Sequence, residues 1–110
     1  MTLRTLNDCE LERVVQESRD ILAIAFLDYA SVPCEHYRPE LEHVAELLAD
    51  KMHFYELNAN ENPDITTRCR VEAVPTLLVT KDRKVLARYE GPYSREALLD
   101  RLNGLLGTQK

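Results

Sequence analysis

The sequence lacks any apolar stretch long enough to cross a bilayer. The longest apolar run, Ile21–Leu27, falls far short of the roughly 20 residues that a membrane-spanning helix needs. The segment Met1–Glu10 contains no apolar core of the kind found in a signal peptide. These absences predict a chain without membrane contacts, and we expect it in the cytoplasm.

Positive charge is also scarce. Lys and Arg total 14 against 19 for Asp and Glu, which gives a formal net charge of −5 at pH 7. A protein that binds nucleic acid regardless of sequence needs a basic face to displace counterions, so we exclude nucleic acid as a partner. No repeat, linker or low-complexity segment interrupts the 110 residues, so we expect residues 1–110 to form a single domain.

Cysteine and histidine are present, but not in a pattern that binds metal. The three cysteines, Cys9, Cys34 and Cys69, cannot all pair within one chain, so in a reducing compartment we expect free thiols. No CxxC or HxxxH spacing occurs, and His36 and His43 fit a solvated helix face better than a metal site. We therefore expect neither a metal ion nor a cofactor.

The spacing of apolar residues predicts alternating strands and helices. The expected strands are Leu3–Leu6, Ile21–Leu27, His53–Leu57, Thr76–Thr80 and Val85–Glu90. Ile21–Leu27 has no polar alternation, which is typical of a central strand covered on both faces. The last two strands flank a short polar segment and should form a hairpin.

Helix starts are indicated by capping residues and prolines. Expected N-caps are Asn7, with Glu10 completing a capping box, Asn62 before Pro63, and Ser94. Pro33 suits the first turn of the second helix, and Pro39 should kink that helix. Helices between strands predict parallel pairing, and the hairpin adds an antiparallel part. The pattern therefore indicates an α/β protein with a mixed sheet between helices.

Four features, taken in order, resemble the thioredoxin family from about Leu3 to Leu106. They are a strand ending in Phe26, Pro33-Cys34 followed by Pro39, Leu57-Asn58 through Asn62-Pro63, and Val74-Pro75-Thr76-Leu77. Pro75 lies 41 residues after Cys34, a separation that matches the family's. Each feature is weak alone, but their shared order is specific.

The resemblance implies a thioredoxin fold with a central mixed sheet of four to five strands flanked by about four helices. It also implies a cis bond before Pro75, where the alternative is an ordinary trans proline. A partner-binding surface is implied at Val32, Pro33, Val74, Pro75 and Gly91, around Cys34. There an extended peptide of a protein partner would pair with the backbone.

The departures from the family pattern all fall near the motif. Ser31 stands where the attacking cysteine belongs, so the motif is SxxC. Ala30 replaces a tryptophan and Val32 replaces a glycine. Ala25 replaces a buried Asp that assists proton transfer, and Glu56 replaces a Lys near it. The redox apparatus has therefore changed at several linked positions.

Cys34 and Ser31 are the candidate catalytic residues. Self-contained disulfide reduction is improbable because it needs two thiols. Cys34 is either a partly buried inert remnant or a working thiol. The helix N-terminus and Arg38 would favour its thiolate form, whereas burial would oppose it. Cys69 is expected to be a packing residue, and Cys9 incidental.

Three functional hypotheses remain open. The first is a thioredoxin-like protein that binds partner proteins or thiols, as an adaptor, accessory factor or holdase, with little dithiol–disulfide oxidoreductase activity. The second is a monothiol redox protein that exchanges thiols and disulfides, or holds a mixed disulfide or glutathione adduct, at Cys34. The third is an engineered trapping variant, which the linked loss of the Trp and Asp positions disfavours.

Overall fold

A computed structural model describes residues 3–108. Within them lie β1 (Leu3–Thr5), α1 (Asp8–Glu17), β2 (Leu22–Leu27), α2 (Val32–Leu47), β3 (His53–Asn58), α3 (Pro63–Arg68), β4 (Thr76–Lys81), β5 (Lys84–Glu90) and α4 (Arg95–Thr108). The strands form one mixed sheet in the order β1-β3-β2-β4-β5. Among the described helices, none is both long and apolar enough to cross a membrane.

Strand β2 is the centre of the fold, as its apolar sequence predicted. All of its residues are buried, with β3 parallel on one side and β4 antiparallel on the other. Ala23, Ala25 and Leu27 pack with side chains of α2 and α4. The alternate residues Leu22, Ile24 and Phe26 pack with side chains of α1 and α3. The run lacks polar alternation because helices cover both faces of the sheet.

The predicted caps of α1 and α4 are confirmed. The Asn7 side chain accepts from the Glu10 N–H at 2.9 Å, and the Glu10 carboxylate accepts from the Asn7 N–H at 3.0 Å, which completes the capping box. Ser94 Oγ accepts from the Ala97 N–H at 3.2 Å. Each bond satisfies an N–H that the first turn of a helix leaves without an intrahelical partner.

Asn62 occupies the N-cap position of α3, as predicted, but the side-chain hydrogen bond expected of a cap is not made there. Its Oδ1 accepts from the Asp8 N–H at 3.0 Å, and its Nδ2 donates to the Asn58 carbonyl at 2.9 Å. The amide thus ties the start of α1 to the end of β3, where it satisfies a free N–H of the longer helix.

The pairing of β4 also differs from the prediction. A helix separates β3 from β4, yet β4 runs antiparallel to β2, with Thr76 opposite Phe26. Helix α3 has only 6 residues and rises about 9 Å. That is about half of the roughly 20 Å that a strand of this length spans. The helix is too short to carry the chain back along the sheet, so β4 starts at the end where β3 finished.

The hairpin of β4 and β5 is confirmed, with one more residue on each strand than predicted. Its turn consists of Asp82 and Arg83, which have φ angles of 50° and 67°. Two successive left-handed residues are typical of a type I′ turn, whose twist matches that of the flanking strands.

Candidate functional site

One edge of the sheet brings the predicted site segments together. Phe26, near the end of β2, is opposite Thr76 at the start of β4, and Thr76 is opposite Glu90 at the end of β5. The Gly91 N–H donates to the Pro75 carbonyl at 2.9 Å. The turn after β2, the segment before β4 and the segment after β5 therefore meet at this edge.

The five predicted partner-contact residues differ in exposure. Val32 is 60% exposed and Pro33 is also exposed, whereas Val74 and Gly91 are half-buried and Pro75 is buried. The Val74–Pro75 peptide bond is cis, as the resemblance implied, and Gly91 has a φ of 97°, which favours glycine. We use the name motif face for the surface formed by these five residues.

Ser31 occupies the N-cap position of α2. Its backbone is extended, and its hydroxyl makes no capping hydrogen bond. The Ser31 N–H donates to the Asp28 carbonyl at 2.9 Å, and the Ser31 carbonyl accepts from the Glu35 N–H at 3.0 Å. Asp28 Oδ1 also accepts from the Ala30 N–H at 2.9 Å. The turn is therefore held without the Ser31 hydroxyl, which stays half-exposed at the start of the helix.

Cys34 lies beneath the motif face rather than on it. The residue is 0% exposed, and it packs in the core between the sheet and α2 with Ala25 and Tyr37. Its Sγ accepts a hydrogen bond from the Asp28 N–H at 3.4 Å. The sulfur therefore has one backbone donor and otherwise apolar surroundings, as expected of the more buried position of the family motif.

The other two cysteines lie on the opposite side of the sheet. Cys9 is exposed on α1, and Cys69 follows α3 and packs against the core beneath α1 and α3. Burial raises the pKa of the Cys69 thiol, and the positive charges of Arg68 and Arg88 oppose that rise. Because Cys34 lies on α2, on the other face of the sheet, the sheet separates it from both thiols.

A buried carboxylate with many partners lies on the α2 side of the sheet. Glu56 on β3 is only 3% exposed. Its Oε1 accepts from Thr5 Oγ1 and Tyr29 Oη, both at 3.0 Å. Arg38 on α2 donates to both oxygens, from Nη2 to Oε1 at 2.8 Å and from Nε to Oε2 at 3.2 Å. We call Thr5, Tyr29, Arg38 and Glu56 the Glu56 cluster.

Arg38 connects this carboxylate to the turn that carries the motif. Its guanidinium carbon lies 4.6 Å from the centre of the Tyr29 ring, within range of a cation–π interaction. The hydrogen bond to Glu56 raises the pKa of Arg38, although partial burial opposes this. Arg38 was predicted to support a thiolate at Cys34, but its guanidinium pairs with the Glu56 carboxylate instead.

No pattern in the sequence predicted the Glu56 cluster as a unit. One signal was available in the sequence, namely the acidic Glu56 between Phe54 and Leu57 in a largely buried strand. A charge that faces the core needs a partner of opposite charge, so this residue indicated a buried ion pair. Arg38 on the facing helix supplies that partner, but no spacing in the sequence connects the two positions.

Tyr37, in the turn of α2 after Cys34, presents a buried polar group without a partner. The residue is 2% exposed, and among residues 3–108 its hydroxyl has no hydrogen-bond partner. Burial raises the pKa of this hydroxyl, and negative charge at Cys34 or Tyr93 raises it further. In the part of the chain that the structure describes, no three His, Cys, Asp or Glu side chains are placed to hold a metal ion.

Comparisons with known proteins agree with this architecture. A family model described as thioredoxin matches residues 2–104. A thioredoxin-like protein of Synechocystis sp. is 28% identical over 102 residues, which are 93% of this chain and 94% of that protein. The thioredoxin of Alicyclobacillus acidocaldarius is 29% identical over 102 residues, with coverage of 93% and 96%.

The fold comparison gives the same result. The crystal structure of chloroplastic thioredoxin z has a TM-score of 0.85 at 21% identity, covering 97% of this chain and 96% of that one. This likeness concerns the fold alone, whereas the family match covers nearly the whole sequence. The chain, with Ser31 and Cys34 at its motif, belongs to the thioredoxin family.

Proposed function

We propose that this chain is a thioredoxin-like domain that binds partner proteins and has lost most or all dithiol–disulfide oxidoreductase activity. The observation that carries the proposal is the placement of the two motif residues at the start of α2. Ser31 holds the accessible position, and the remaining thiol, Cys34, is 0% exposed beneath it. We also propose that the protein acts in the cytoplasm, where its three cysteines would stay reduced.

The loss of activity follows from the chemistry of disulfide exchange. A first thiolate attacks the substrate disulfide and forms a mixed disulfide, and a second thiolate then attacks that bond and releases the reduced substrate. The hydroxyl of Ser31 is not ionised near pH 7, and within residues 3–108 its side chain makes no capping hydrogen bond. Cys9 and Cys69 are on the far side of the sheet, so neither is placed to act as the second thiol.

Partner binding is supported by the exposed surface around the motif. Val32 and Pro33 are exposed, and Val74 and Gly91 are half-buried next to them along the same edge of the sheet. Backbone groups before β4 are suited to pairing with an extended segment, which is a form of strand addition. Chloroplastic thioredoxin z, whose crystal structure shares this fold, shows a type-specific target recognition.

The test is the reduction of insulin by dithiothreitol, followed as turbidity. We expect the purified chain to accelerate it by no more than a few per cent of an ordinary thioredoxin's rate. A second measurement, pull-down with Val32→Asp beside the matched surface change Val85→Asp, tests the binding half. Robust insulin reduction would contradict the first half, and partners retained equally by both variants would contradict the second.

A monothiol reaction at Cys34 is the second candidate, and the hydrogen bond from the Asp28 N–H favours it. In this reaction the Cys34 thiolate attacks a disulfide R–S–S–R′, forms Cys34–S–S–R and releases R′–S⁻. Glutathione disulfide or a partner disulfide supplies the oxidant. Mass spectrometry after mild oxidation tests it, with Cys9→Ser as control. Adducts on Cys34 that persist in Cys9→Ser would support exchange, and adducts on Cys9 alone would exclude it.

A further inference from the structure

We propose that the motif face binds an extended partner segment in which an apolar side chain is flanked by Lys or Arg. This inference rests on the proposed partner-binding function and specifies the chemistry of the partner. It follows from three observations, namely an exposed apolar centre, a side chain held rigidly beside it, and exposed carboxylates that follow or precede the residues of the motif face in the sequence.

The apolar centre consists of two side chains that flank Ser31. Tyr29 is 40% exposed and Val32 is 60% exposed, although both are large and apolar. Among the described residues, the other exposed large apolar side chains are Leu47 and Val85, which lie at the end of α2 and the start of β5. Of the pair at the motif, Val32 belongs to the motif face, and Tyr29 lies at its margin on the side of β3 and α2, where its hydroxyl reaches Glu56. Exposed apolar area within a polar border is typical of a protein-interaction site.

The Glu56 cluster holds Tyr29 in place. The phenol oxygen donates to Glu56 at 3.0 Å, and the Arg38 guanidinium covers one face of the ring. A partner that contacts Tyr29 would therefore not have to order a loose aromatic side chain, and the entropy cost of binding is lower. Tyrosine is also among the residue types that contribute most to binding energy at interfaces.

The border of the motif face is acidic. Glu35 follows Cys34, Glu72 lies two positions before Val74, and Glu90 precedes Gly91. All three carboxylates are exposed. No Lys or Arg lies within two positions of Ser31–Cys34, Val74–Pro75 or Gly91.

Arg38, the nearest cation on α2, is neutralised by Glu56. Complementary charge at the rim of an interface favours association and rejects partners of like charge, so a segment with Lys or Arg beside its apolar residue fits this face. An acidic segment would meet like charge at Glu35, Glu72 and Glu90.

The experiment selects random linear peptides displayed on phage against the full chain at about 0.05 M salt, where surface charges are weakly screened. We expect enriched peptides to carry more Lys and Arg than Asp and Glu around an apolar residue. Their affinity should fall when salt is raised to about 0.5 M, because the Debye length then becomes shorter than most rim distances.

Matched charge variants locate the effect. The double variant Glu72→Gln/Glu90→Gln should weaken the selected peptides by roughly three- to tenfold, since exposed charge pairs contribute modestly. The control Asp50→Asn/Asp100→Asn removes the same charge from exposed positions on other parts of the surface and should have little effect. Equal effects of the two double variants would overturn the inference, because net charge alone would then explain the preference.

The failure of this inference can be distinguished from the failure of the proposed function. Peptides that lose binding with Val32→Asp but not with Val85→Asp, and that show no basic excess, would overturn the charge inference and leave the partner-binding face intact. Peptides that bind Val32→Asp as well as the parent chain, or no enrichment at all, would count against both. Basic peptides lost with Val32→Asp and weakened by Glu72→Gln/Glu90→Gln are the result expected.

Discussion

Two polar groups lie in the layer between the sheet and α2, and their surroundings are opposite in character. The Cys34 sulfur has one backbone donor, at 3.4 Å, and apolar neighbours such as Ala25. The Glu56 carboxylate has four hydrogen bonds from three side chains, including a bidentate pair with Arg38. The four hydrogen bonds to Glu56 therefore support the turn that carries Tyr29, and none of the four involves the Cys34 sulfur.

The register of the sheet explains how this difference arises. Ala25 on β2 is directly opposite Glu56 on β3. In the family pattern an Asp and a Lys occupy these two places, so here the carboxylate has moved by one strand and Arg38 supplies the cation. The sulfur has lost a neighbour that could accept its proton, and the fold has gained an ion pair in its place. Variants on β2, β3 and α2 test that contrast.

Restoring the carboxylate beside Cys34 should be strongly destabilising. With Ala25→Asp, a second carboxylate would lie one strand away, about 5 Å in backbone spacing, from Glu56. Ala25 is 0% exposed, so the new charge would be buried without a partner, at a cost of about 3–5 kcal/mol. Urea unfolding at pH 7 measures the change in the free energy of unfolding.

The isosteric variant Ala25→Asn separates charge from volume. It adds the same bulk without a negative charge, so we expect it to be less destabilising than Ala25→Asp at pH 7. Equal losses in the two variants would mean that crowding, rather than the repulsion from Glu56, accounts for the effect.

Removing Arg38 should lower the free energy of unfolding more than removing the charge of Glu56. Arg38→Met leaves the Glu56 carboxylate without its cation, and that side chain is 4% exposed. We expect a loss of about 2–4 kcal/mol, at the lower end of values for buried pairs because Arg38 itself is partly solvated. Glu56→Gln leaves Arg38, 41% exposed, free to reach water, and we expect a loss of about 1–2 kcal/mol.

The surface ion pair of Arg95 and Glu40 is the control for this asymmetry. Its side chains are 40% and 38% exposed, so Arg95→Met should cost less than about 1 kcal/mol. If Arg38→Met were no more destabilising than Arg95→Met, the Glu56 cluster would be an ordinary surface contact and could not hold Tyr29 in place.

Adding the missing thiol tests the other half of the contrast. Ser31→Cys places a cysteine at the N-cap of α2, three positions before Cys34, and we expect an internal disulfide under oxidation. Insulin reduction should remain about 10- to 100-fold below that of an ordinary thioredoxin, because no proton acceptor replaces the Asp at Ala25. Full activity with this single change would show that the sulfur needs no such neighbour.

The sequence predicted the path of the chain more completely than the details of the site. The apolar run of β2, the capping box at Asn7 and the hairpin are local patterns, and each is confirmed. The direction of β4 depends on whether α3 is long enough to carry the chain back along the sheet. The residues Asn62-Pro63 indicate where that helix begins, but they do not indicate how long it is. Motif order placed Ser31 and Cys34 at the start of α2, as the structure has them.

The Glu56 cluster lay beyond sequence reasoning because its members come from separate parts of the chain. Thr5, Tyr29, Arg38 and Glu56 come from β1, the turn after β2, α2 and β3. Only the packing of α2 across the sheet brings Arg38 to Glu56. A lone inward carboxylate indicates that some cation must approach, but it does not say which one.

Removing the Tyr37 hydroxyl should change the stability of the fold only slightly. The ring of Tyr37 packs in the same core cluster as Cys34. Tyr37→Phe removes that hydroxyl and keeps the ring. Because the buried group has no hydrogen-bond partner among residues 3–108, we expect the free energy of unfolding at pH 7 to stay constant or rise by up to about 1 kcal/mol. Tyr37→Leu, which also removes ring volume, should lose about 2 kcal/mol and shows what the ring contributes.

The same variant has a defined effect at alkaline pH. Burial raises the pKa of the Tyr37 hydroxyl in the folded chain, whereas the unfolded chain ionises near pH 10. The folded state then binds more protons than the unfolded state, so the parent chain loses stability as pH rises above about 10. Tyr37→Phe lacks this contribution, and its unfolding free energy should fall less between about pH 9 and 11. Parallel losses in parent and variant would mean that the pKa of the Tyr37 hydroxyl is the same in the folded and unfolded chain, so that water reaches the hydroxyl and the burial described beside Cys34 is incorrect.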